Sequence, residues 1–438
     1  MNRVLVITYY WPPSGGVGVQ RWLKMSKYLP DYGWEPVIFT PENPQFNIRD
    51  ESLLQEVRHE TEVLRFPIRE PFGIFNKLSG NKKNVKQGLA LEKSDRSFID
   101  KAAVWVRGNL FVPDPRRFWV RPASKFLTDF LPQNGIDTII TTGPPHSMHL
   151  IGLELKKKHP GLKWVADLRD PWSEWDMLDK LRTGSLAKGL HRRYEKMVLK
   201  QADIVLTVSK GMGEDLASLG GGNRVRVITN GFDQEDLAEE QAVKKGDTFR
   251  ITHLGLLNEL RDPQAIFTAI SDLCRENEAF NESLELELGG IISQSVRDRL
   301  MADPILKNKI EWHDYLPREE VIRKYSKASV LLLLQNRTEK SRHILPAKLF
   351  EYLPTGKPVL LSGLMKSDAA TLLQETGVGL TVAYDDAEGS RLALRELFEK
   401  WHEGSLQKSD LPGKVAEYSR NRLTGKLASL LDELNEEA

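Results

Sequence analysis

Only one cysteine, Cys274, occurs in 438 residues. A single thiol excludes any intrachain disulfide and fits a reducing compartment. Its surroundings, AIFTAISDLCREN, read as a helix, where a packed thiol is the expected state. An excess of one charge is missing too: 62 Lys and Arg stand against 61 Asp and Glu. No global charge therefore argues for nucleic acid as a partner. No stretch reaches the roughly 18 apolar residues of a membrane span. The opening MNRVLVITYY has too short an apolar run for a signal peptide and enters a strand directly. No Asp-x-Asp closes a strand and no Cys/His cluster has metal-ligand spacing, so neither metal nor cofactor is expected. Short repeats and low-complexity tracts are absent. These absences describe a cytoplasmic protein, with a peripheral contact to the inner face of the cell membrane left open.

Strands and helices alternate along the chain. RVLVIT (3–8), EPVIFT (35–40), TEVLRF (61–66), DTIITT (137–142), LKWVADL (162–168) and DIVLTV (203–208) read as buried strands. Helices are expected over 18–33, 123–135, 147–159 and about 186–200. RVRVITNGFD (224–233) ends in the turn signal Asn-Gly, and a charged stretch of linker composition follows. The pattern then restarts with FRITHLG (249–255), LELELGG (284–290), KIEWHD (309–314), SVLLLLQ (329–335), KPVLLSG (357–363) and GVGLTV (377–382). Two βαβ series imply an α/β protein of two doubly wound parallel sheets, each with its ligand crevice at the strands' C-terminal ends. The expected division is 1–233 with an irregular insertion at about 66–121, a linker at 234–247, and a second domain at 248–417. The last helix, 418–438, is expected to pack back on the first domain.

Residues 341–358, SRHILPAKLFEYLPTGKP, are the most informative stretch. Pro346 at a first helical position and Thr355-Gly356-Lys357-Pro358 at the end bracket a helix of about eight residues. Lys348 and Glu351 are i, i+3 and share one face. A cation and a carboxylate at the mouth of a parallel sheet suit a nucleoside diphosphate, with the Lys on the phosphates and the Glu accepting from ribose hydroxyls. A plain surface ion pair fits the same spacing. The first strand leads to TYYWPPSGGVGVQRW, where Gly15, Gly16 and Gly18 precede a helix and could turn backbone N–H groups toward an anion. Six residues separate that strand from Gly15, and the spacing is G-G-x-G, which fits a dinucleotide poorly. ADLRDPWSEW (166–175) places Asp167, Arg169, Asp170 and Glu174 after a strand. Asp170 either turns the chain with Pro171 or positions an acceptor hydroxyl, with Trp172 and Trp175 as a platform for sugar or lipid. His146, in TTGPPHSMH, sits at a helix N-terminus, where the dipole favours its neutral form; an ordinary capping His is the plainer reading, ahead of an acceptor-side role.

Together TYYWPPSGGVGVQRWLKMSKYL, DLRDPW, ITNGFD and PAKLFEYLPTGKPV resemble glycosyltransferase family 4, whose members use nucleotide sugars and have the two-domain GT-B architecture. The resemblance spans nearly the whole chain and is weakest at about 70–121 and 385–415. It implies that Gly15 and Gly16 face the donor diphosphate and the acceptor, and that Gly255 opens the donor site of the second domain. It further implies that Glu351 holds ribose hydroxyls, and that Arg261 and Lys348 clamp the diphosphate. Gly18, His146, Asp170 and Trp172 are then expected on the acceptor side. The catalytic set is Asp170, Arg261 and Lys348, although the departing phosphate can take the acceptor's proton, so Asp170 need not be a base. Two positions depart from the family. His343 stands where the earlier Glu of a Glu-x7-Glu pair belongs, and Leu256 where an Arg belongs.

The resemblance implies a retaining, metal-independent transfer from a nucleotide sugar, with a UDP-sugar favoured, to a lipid-linked or other saccharide acceptor. A GT-B protein that binds the sugar nucleotide without transfer, and a sugar-nucleotide epimerase, are the alternatives. In 66–121, Phe72, Phe75, Trp105, Phe111, Phe118 and Trp119 are interleaved with Lys and Arg. Residues 180–200 add seven basic residues against one acid, Glu195. Such stretches suit an anionic membrane surface, and equally a solvated basic face.

Overall fold

The computed structural model describes residues 1–46, 48–70, 98–236, 248–314, 316–406 and 413–436. They fall into two α/β units: Met1–Thr229 with Thr424–Ala438, and Asn230–Leu423. Phe72, Phe75 and most of the expected linker lie outside the described residues.

The first unit holds β1 (Asn2–Ile7), β2 (Trp34–Pro41), β3 (Glu62–Phe66), β4 (Thr138–Gly143), β5 (Lys163–Leu168), β6 (Ile204–Thr207) and β7 (Val225–Val227). They form one parallel sheet in the order β3-β2-β1-β4-β5-β6-β7. Val4 to Ile7 are wholly buried, because helices cover both faces of a parallel sheet and each strand reads as a continuous apolar run. The order reverses between β1 and β4, so the crevice of this unit opens beyond Ile7 and Gly143.

Helices α1 (Val17–Tyr28), α2 (Phe98–Asn109), α3 (Arg117–Gln133), α4 (Ser147–Lys158) and α5 (Ser185–Gln201) belong to this unit. The helix expected over 18–33 stops at Tyr28 and continues as a 3₁₀ turn through Leu29–Tyr32. Pro30 cannot donate the next helical bond, and Gly33 closes the turn at φ 84°. Conversely, α3 begins six residues before the expected 123, despite Pro122. Its first turn is fixed by Trp119, which is fully buried, stacks on Phe39 at 5.0 Å and donates Nε1–H to Pro67 O at 3.1 Å. Trp119 is thus core and not part of an aromatic surface. The last helix runs Arg420–Glu436, and its part beyond Thr424 lies in the first unit. There Trp34 Nε1 donates to Asp432 Oδ1 at 2.9 Å and Lys163 Nζ to Asn435 Oδ1 at 2.7 Å.

The deepest polar contact of this unit joins α1 to β5. Arg21 (1% exposed) donates Nε and Nη2 to the two carboxylate oxygens of Asp167 (0%) at 3.1 and 3.0 Å. Trp22 Nε1 and Thr142 Oγ1 also donate to Asp167 Oδ2, at 2.8 and 2.9 Å, and Arg21 Nη1 reaches Thr229 O at 2.8 Å. Burial alone would raise the pKa of Asp167, but Arg21, Arg169 and these hydrogen bonds hold it below the ordinary carboxylate value.

The second unit holds β8 (Phe249–Leu254), β9 (Leu284–Gly289), β10 (Ile310–His313), β11 (Val330–Leu334), β12 (Val359–Ser362) and β13 (Gly379–Val382), all parallel, in the order β10-β9-β8-β11-β12-β13. Its reversal lies between β8 and β11. Apolar residues of helices α6 (Gln264–Glu276) and α7 (Ala387–His402) join Phe249, Leu286 and Leu332 in one core. The loops beyond β8 and β9 are tied together: Gly255 N–H donates to Gly289 O at 2.7 Å, and Ile291 N–H to Gly255 O at 3.1 Å. Gly290, at φ 97°, brings its backbone so close that a Cβ there would stand 2.7 Å from Gly255 O.

Removing one member of a buried ion pair leaves the other charge uncompensated, at a cost of about 3–5 kcal/mol. Arg21→Met and Asp167→Leu should each lose stability on that scale, whereas the double variant should lose less than the sum. Urea unfolding followed by tryptophan fluorescence reads this directly, because eight of the ten tryptophans lie in the first unit. Losses below about 1 kcal/mol in both single variants would contradict the hub role.

Candidate functional site

In the first unit the sequence-derived residues gather at the C-terminal ends of β1, β4 and β5, though several do different work from that expected. Gly15 N–H is taken by Ile48 O at 3.0 Å, and a Cβ on Gly15 would meet Ile48 Cγ2 at 2.8 Å. Its bareness therefore serves packing. Gly16, exposed at φ 86°, is the residue that turns the chain into α1. Gly18 packs under the Tyr10 ring, and its carbonyl accepts from Arg169 Nη1 at 2.6 Å. Arg169 also donates to the carbonyls of Gly143 and Pro144, so it laces the ends of three elements together.

Trp172 is 1% exposed and cannot serve as an open platform for sugar or lipid, a correction to the sequence reading. Its indole instead lies flat against His146, with centroids at 4.6 Å and planes 3° apart, and donates Nε1–H to His191 Nδ1 at 3.1 Å. An aromatic residue at the end of a strand looks the same in sequence whether it faces water or a neighbouring ring. Trp175, the other tryptophan of that segment, is 37% exposed. His146 is 5% exposed, and neither of its ring nitrogens has a hydrogen-bond partner. Burial, then His149, His191 and Arg169, hold it neutral. The capping role is not taken up by its side chain; Asp114 Oδ2 accepts from Ser147 N–H at 2.9 Å instead. Asp170 stays at the surface, and incomplete solvation raises its pKa against the pull of Arg169.

In the second unit the expected cationic pair converges. Pro346 precedes α9, which runs Ala347–Tyr352 and continues as a 3₁₀ turn to Gly356 at φ 63°; α8 (Arg318–Lys327) faces it. Lys348 Nζ lies 3.9 Å from Glu351 Oε2 and 3.1 Å from Tyr325 Oη. Burial lowers the Lys348 pKa, Glu351 opposes this, and Arg261 lowers it further, so the two cations are close enough to repel. Arg261 is aimed by Asn336, whose Oδ1 accepts from Nε at 2.6 Å. A Cβ on Gly255 would clash with Lys348 Cε, so any side chain there would push the lysine from its present position. His343 Nδ1 lies 3.6 Å from Asp368 Oδ2, at the start of the helix α10 (Asp368–Thr376). A carboxylate is therefore present beside the residue that replaces one.

Sequence reasoning missed His253, Tyr325 and Tyr352. His253 is 3% exposed with Nδ1 2.9 Å from Leu332 O, and Tyr352 Oη donates to the same carbonyl at 3.4 Å. Tyr325 Oη reaches Leu254 O at 3.5 Å. Only a polar residue inside the apolar strand ITHLG could have signalled this layer. Spacing also missed a cluster of Glu287, Glu311 and His313, the one group of three metal-capable side chains brought together among the described residues. Lys324 Nζ stands 2.7 Å from Glu287 Oε1 and 3.1 Å from His313 Nε2, so an ammonium already supplies the positive charge there.

Comparison with known proteins bears on both units. Residues 15–231 match the model of the glycosyl transferase 4-like domain. No curated protein sequence matches the chain. Among solved structures, sucrose-phosphate synthase from Thermosynechococcus elongatus superposes with a TM-score of 0.62 at 14% identity, covering 100% of both chains. WaaG, a glycosyltransferase involved in lipopolysaccharide biosynthesis, gives 0.53 at 13%, covering 98% of this chain and 99% of WaaG. A putative UDP-N-acetylglucosamine 2-epimerase from Listeria monocytogenes gives 0.53 at 13%, covering 100% and 97%. The fold that emerges is GT-B, two Rossmann-like units in one chain. With residues 15–231 forming a glycosyl transferase 4-like domain, the chain is a glycosyltransferase, an enzyme that transfers a sugar.

The buried histidines set a pH limit. Burial holds His149 at about 3, and His191 and His253 at about 4, against 6.5 in an unfolded chain. The unfolded state thus binds more protons between these values, so the stability is present above pH 6.5 and is lost as pH falls. Each such ring should remove about 2 kcal/mol between pH 7 and pH 5. Urea midpoints at the two pH values check this. His146→Phe, which removes a partnerless ring, should flatten the drop; an unchanged drop would mean that His146 titrates normally.

Proposed function

We propose that this glycosyltransferase moves a sugar from a nucleoside-diphosphate sugar, with a UDP-sugar favoured, to a lipid-linked saccharide in cell-surface polysaccharide or glycolipid synthesis. The observation that carries the donor half is the convergence of Lys348, Arg261 and Glu351 at the C-terminal edge of the second sheet. Breaking the anomeric C–O bond leaves charge on a diphosphate, and fixed cations stabilise that charge as it develops. Lys348 and Arg261 do this without a metal, and Glu351 accepts from the ribose. Retention follows if the leaving phosphate takes the acceptor's proton on the face it departs from. His343 beside Asp368 then selects among donor sugars. The binding-only reading rests on His343 alone, and epimerisation would give a new sugar nucleotide without any acceptor.

The acceptor half rests on the surface of the first unit. Glu195, the one acid of the basic helix, is buried at 2% and accepts from Ser173 N–H, so it does not neutralise Arg192, Arg193 and Lys196 on the exposed face. Asn109 fastens α2 to the start of α5, accepting from Gly184 N–H at 2.8 Å and donating to Arg182 O at 3.1 Å. Around that joint Leu186 is 91% exposed, Leu110 57% and Trp105 49%. Apolar side chains ringed by basic ones suit the interface of an anionic leaflet, where a lipid-linked acceptor resides.

Lys348→Ala and Glu351→Ala should each weaken nucleotide binding roughly tenfold to a hundredfold, the loss of a charge-assisted contact of about 1.5–3 kcal/mol. Calorimetric titration of the folded variants with UDP, GDP and ADP measures this, and wild-type affinity in both would remove the donor assignment. Neutralising Lys188, Arg192, Arg193 and Lys196 together should abolish co-sedimentation with anionic vesicles while sparing nucleotide binding, each charge contributing about 1 kcal/mol. Wild-type protein that ignores such vesicles at low salt would point to a soluble acceptor.

A further inference from the structure

Helix α8 is held to its sheet by little apolar surface. Of its ten residues, Tyr325 is the one that is buried. Two adjacent side chains fasten the helix, and they reach in different directions. Lys324 crosses toward β9 and β10, where Nζ donates to Glu287 Oε1 at 2.7 Å and lies 3.1 Å from His313 Nε2. Glu287 is 2% exposed, and its Oε2 accepts from Thr252 Oγ1 of β8 at 2.9 Å. A carboxylate so deeply placed requires its cation, which makes this ion pair a fixed point for the helix. Tyr325 turns toward the end of β8 and toward α9. Its Oη donates to Leu254 O at 3.5 Å and accepts from Lys348 Nζ at 3.1 Å. The ring stands edge-on to Tyr352, with centroids 4.9 Å apart.

We propose that Lys324, through its ion pair with Glu287, is a positioning residue for the nucleotide-sugar site: it fixes α8 so that Tyr325, the next residue, holds the Lys348 ammonium; this rests on the donor reading above. Lys348 needs a hold from outside its own helix. Glu351, one turn along α9, is 3.9 Å away, and Arg261 repels the ammonium. Tyr325 supplies an oxygen from a different element. Burial, then Tyr352 and Glu351, raise the Tyr325 pKa, so the side chain stays a neutral phenol. Its one proton faces Leu254 O, which leaves a lone pair for Lys348. Lys324 itself bonds toward β9 and β10, so its influence on Lys348 runs through the helix and the tyrosine. If α8 loosens, the contact between Tyr325 and Lys348 lengthens out of hydrogen-bonding range.

An oxygen that accepts from the ammonium favours its charged form, so the titration of Lys348 reports whether Tyr325 holds it. Trace acetylation by acetic anhydride across pH, with the Lys348 peptide followed by mass spectrometry, measures that midpoint on the ligand-free protein. Tyr325→Phe keeps the ring and removes the oxygen. It should lower the midpoint by about one unit and raise the dissociation constant for UDP about tenfold. Lys324→Met leaves Tyr325 in place and should move both quantities in the same direction, whereas Lys324→Arg should restore them. In the Tyr325→Phe background, Lys324→Met should change neither any further, because the path to Lys348 is already cut. Should Lys324→Met fail to fold, Glu287→Gln breaks the same pair and makes the same comparison. An unmoved Lys348 midpoint in the folded Met or Gln variant, or a Lys324→Met effect that persists in full beside Tyr325→Phe, overturns the proposal. If Lys348→Ala binds UDP, GDP and ADP as the wild type does, the donor reading fails by itself, while the acetylation midpoints still decide whether Lys324 acts on Lys348.

Discussion

The carboxylate of Asp167 at the end of β5 is the contact on which the first unit depends. It has no exposure, and Arg21, Trp22 and Thr142 all donate to it. A buried charge persists only when its oxygens are matched, and here the matching groups come from α1 and β4. That requirement fixes where α1 lies on the sheet, and with it the path of the glycine-containing loop before α1. Arg169 then binds the carbonyls of Gly18, Gly143 and Pro144, so the DLRD segment is the fastening of the crevice. Its remaining carboxylate, Asp170, is left at the surface.

The second unit solves a different problem. Here a lysine ammonium is partly withdrawn from water and needs partners in place of it. Lys348 is held by Tyr325, near Glu351, and over a glycine. The tyrosine is itself anchored on Leu254 O, and Tyr352 and His253 meet on Leu332 O. Leu254 at the end of β8 and Leu332 in the middle of β11 thus supply the carbonyls that orient these side chains. This is why the reversal point of a doubly wound sheet can carry charge without unfolding around it.

The sheet strands were legible because a parallel strand is apolar on both faces, so runs such as VLVIT and VLLLLQ stand out without knowledge of their neighbours. Helix ends were less so. Trp119 extends α3 over a stretch with weak helical signals because its ring must reach Phe39, a residue 80 positions away. Spacing in the chain set Lys348 and Glu351 on one helical face, because the i, i+3 relation is a property of the helix alone. It could not tell that Trp172 faces His146 and not solvent, since both outcomes use the same residue at the same strand end.

The sequence by itself determined the two βαβ series, the short helix that carries Lys348 and Glu351, and the family 4-like kinship, because each is written in local periodicity or in ordered motifs. Tertiary structure alone decided which polar residues support and which are left free to act. Asp167 and Asp170 are three positions apart in one motif, yet one is neutralised by an arginine 146 residues away and the other is exposed. Likewise His253 in β8 meets the carbonyl of Leu332, 79 residues on. Burial and hydrogen bonding depend on what the fold brings near, and no local pattern encodes that partner.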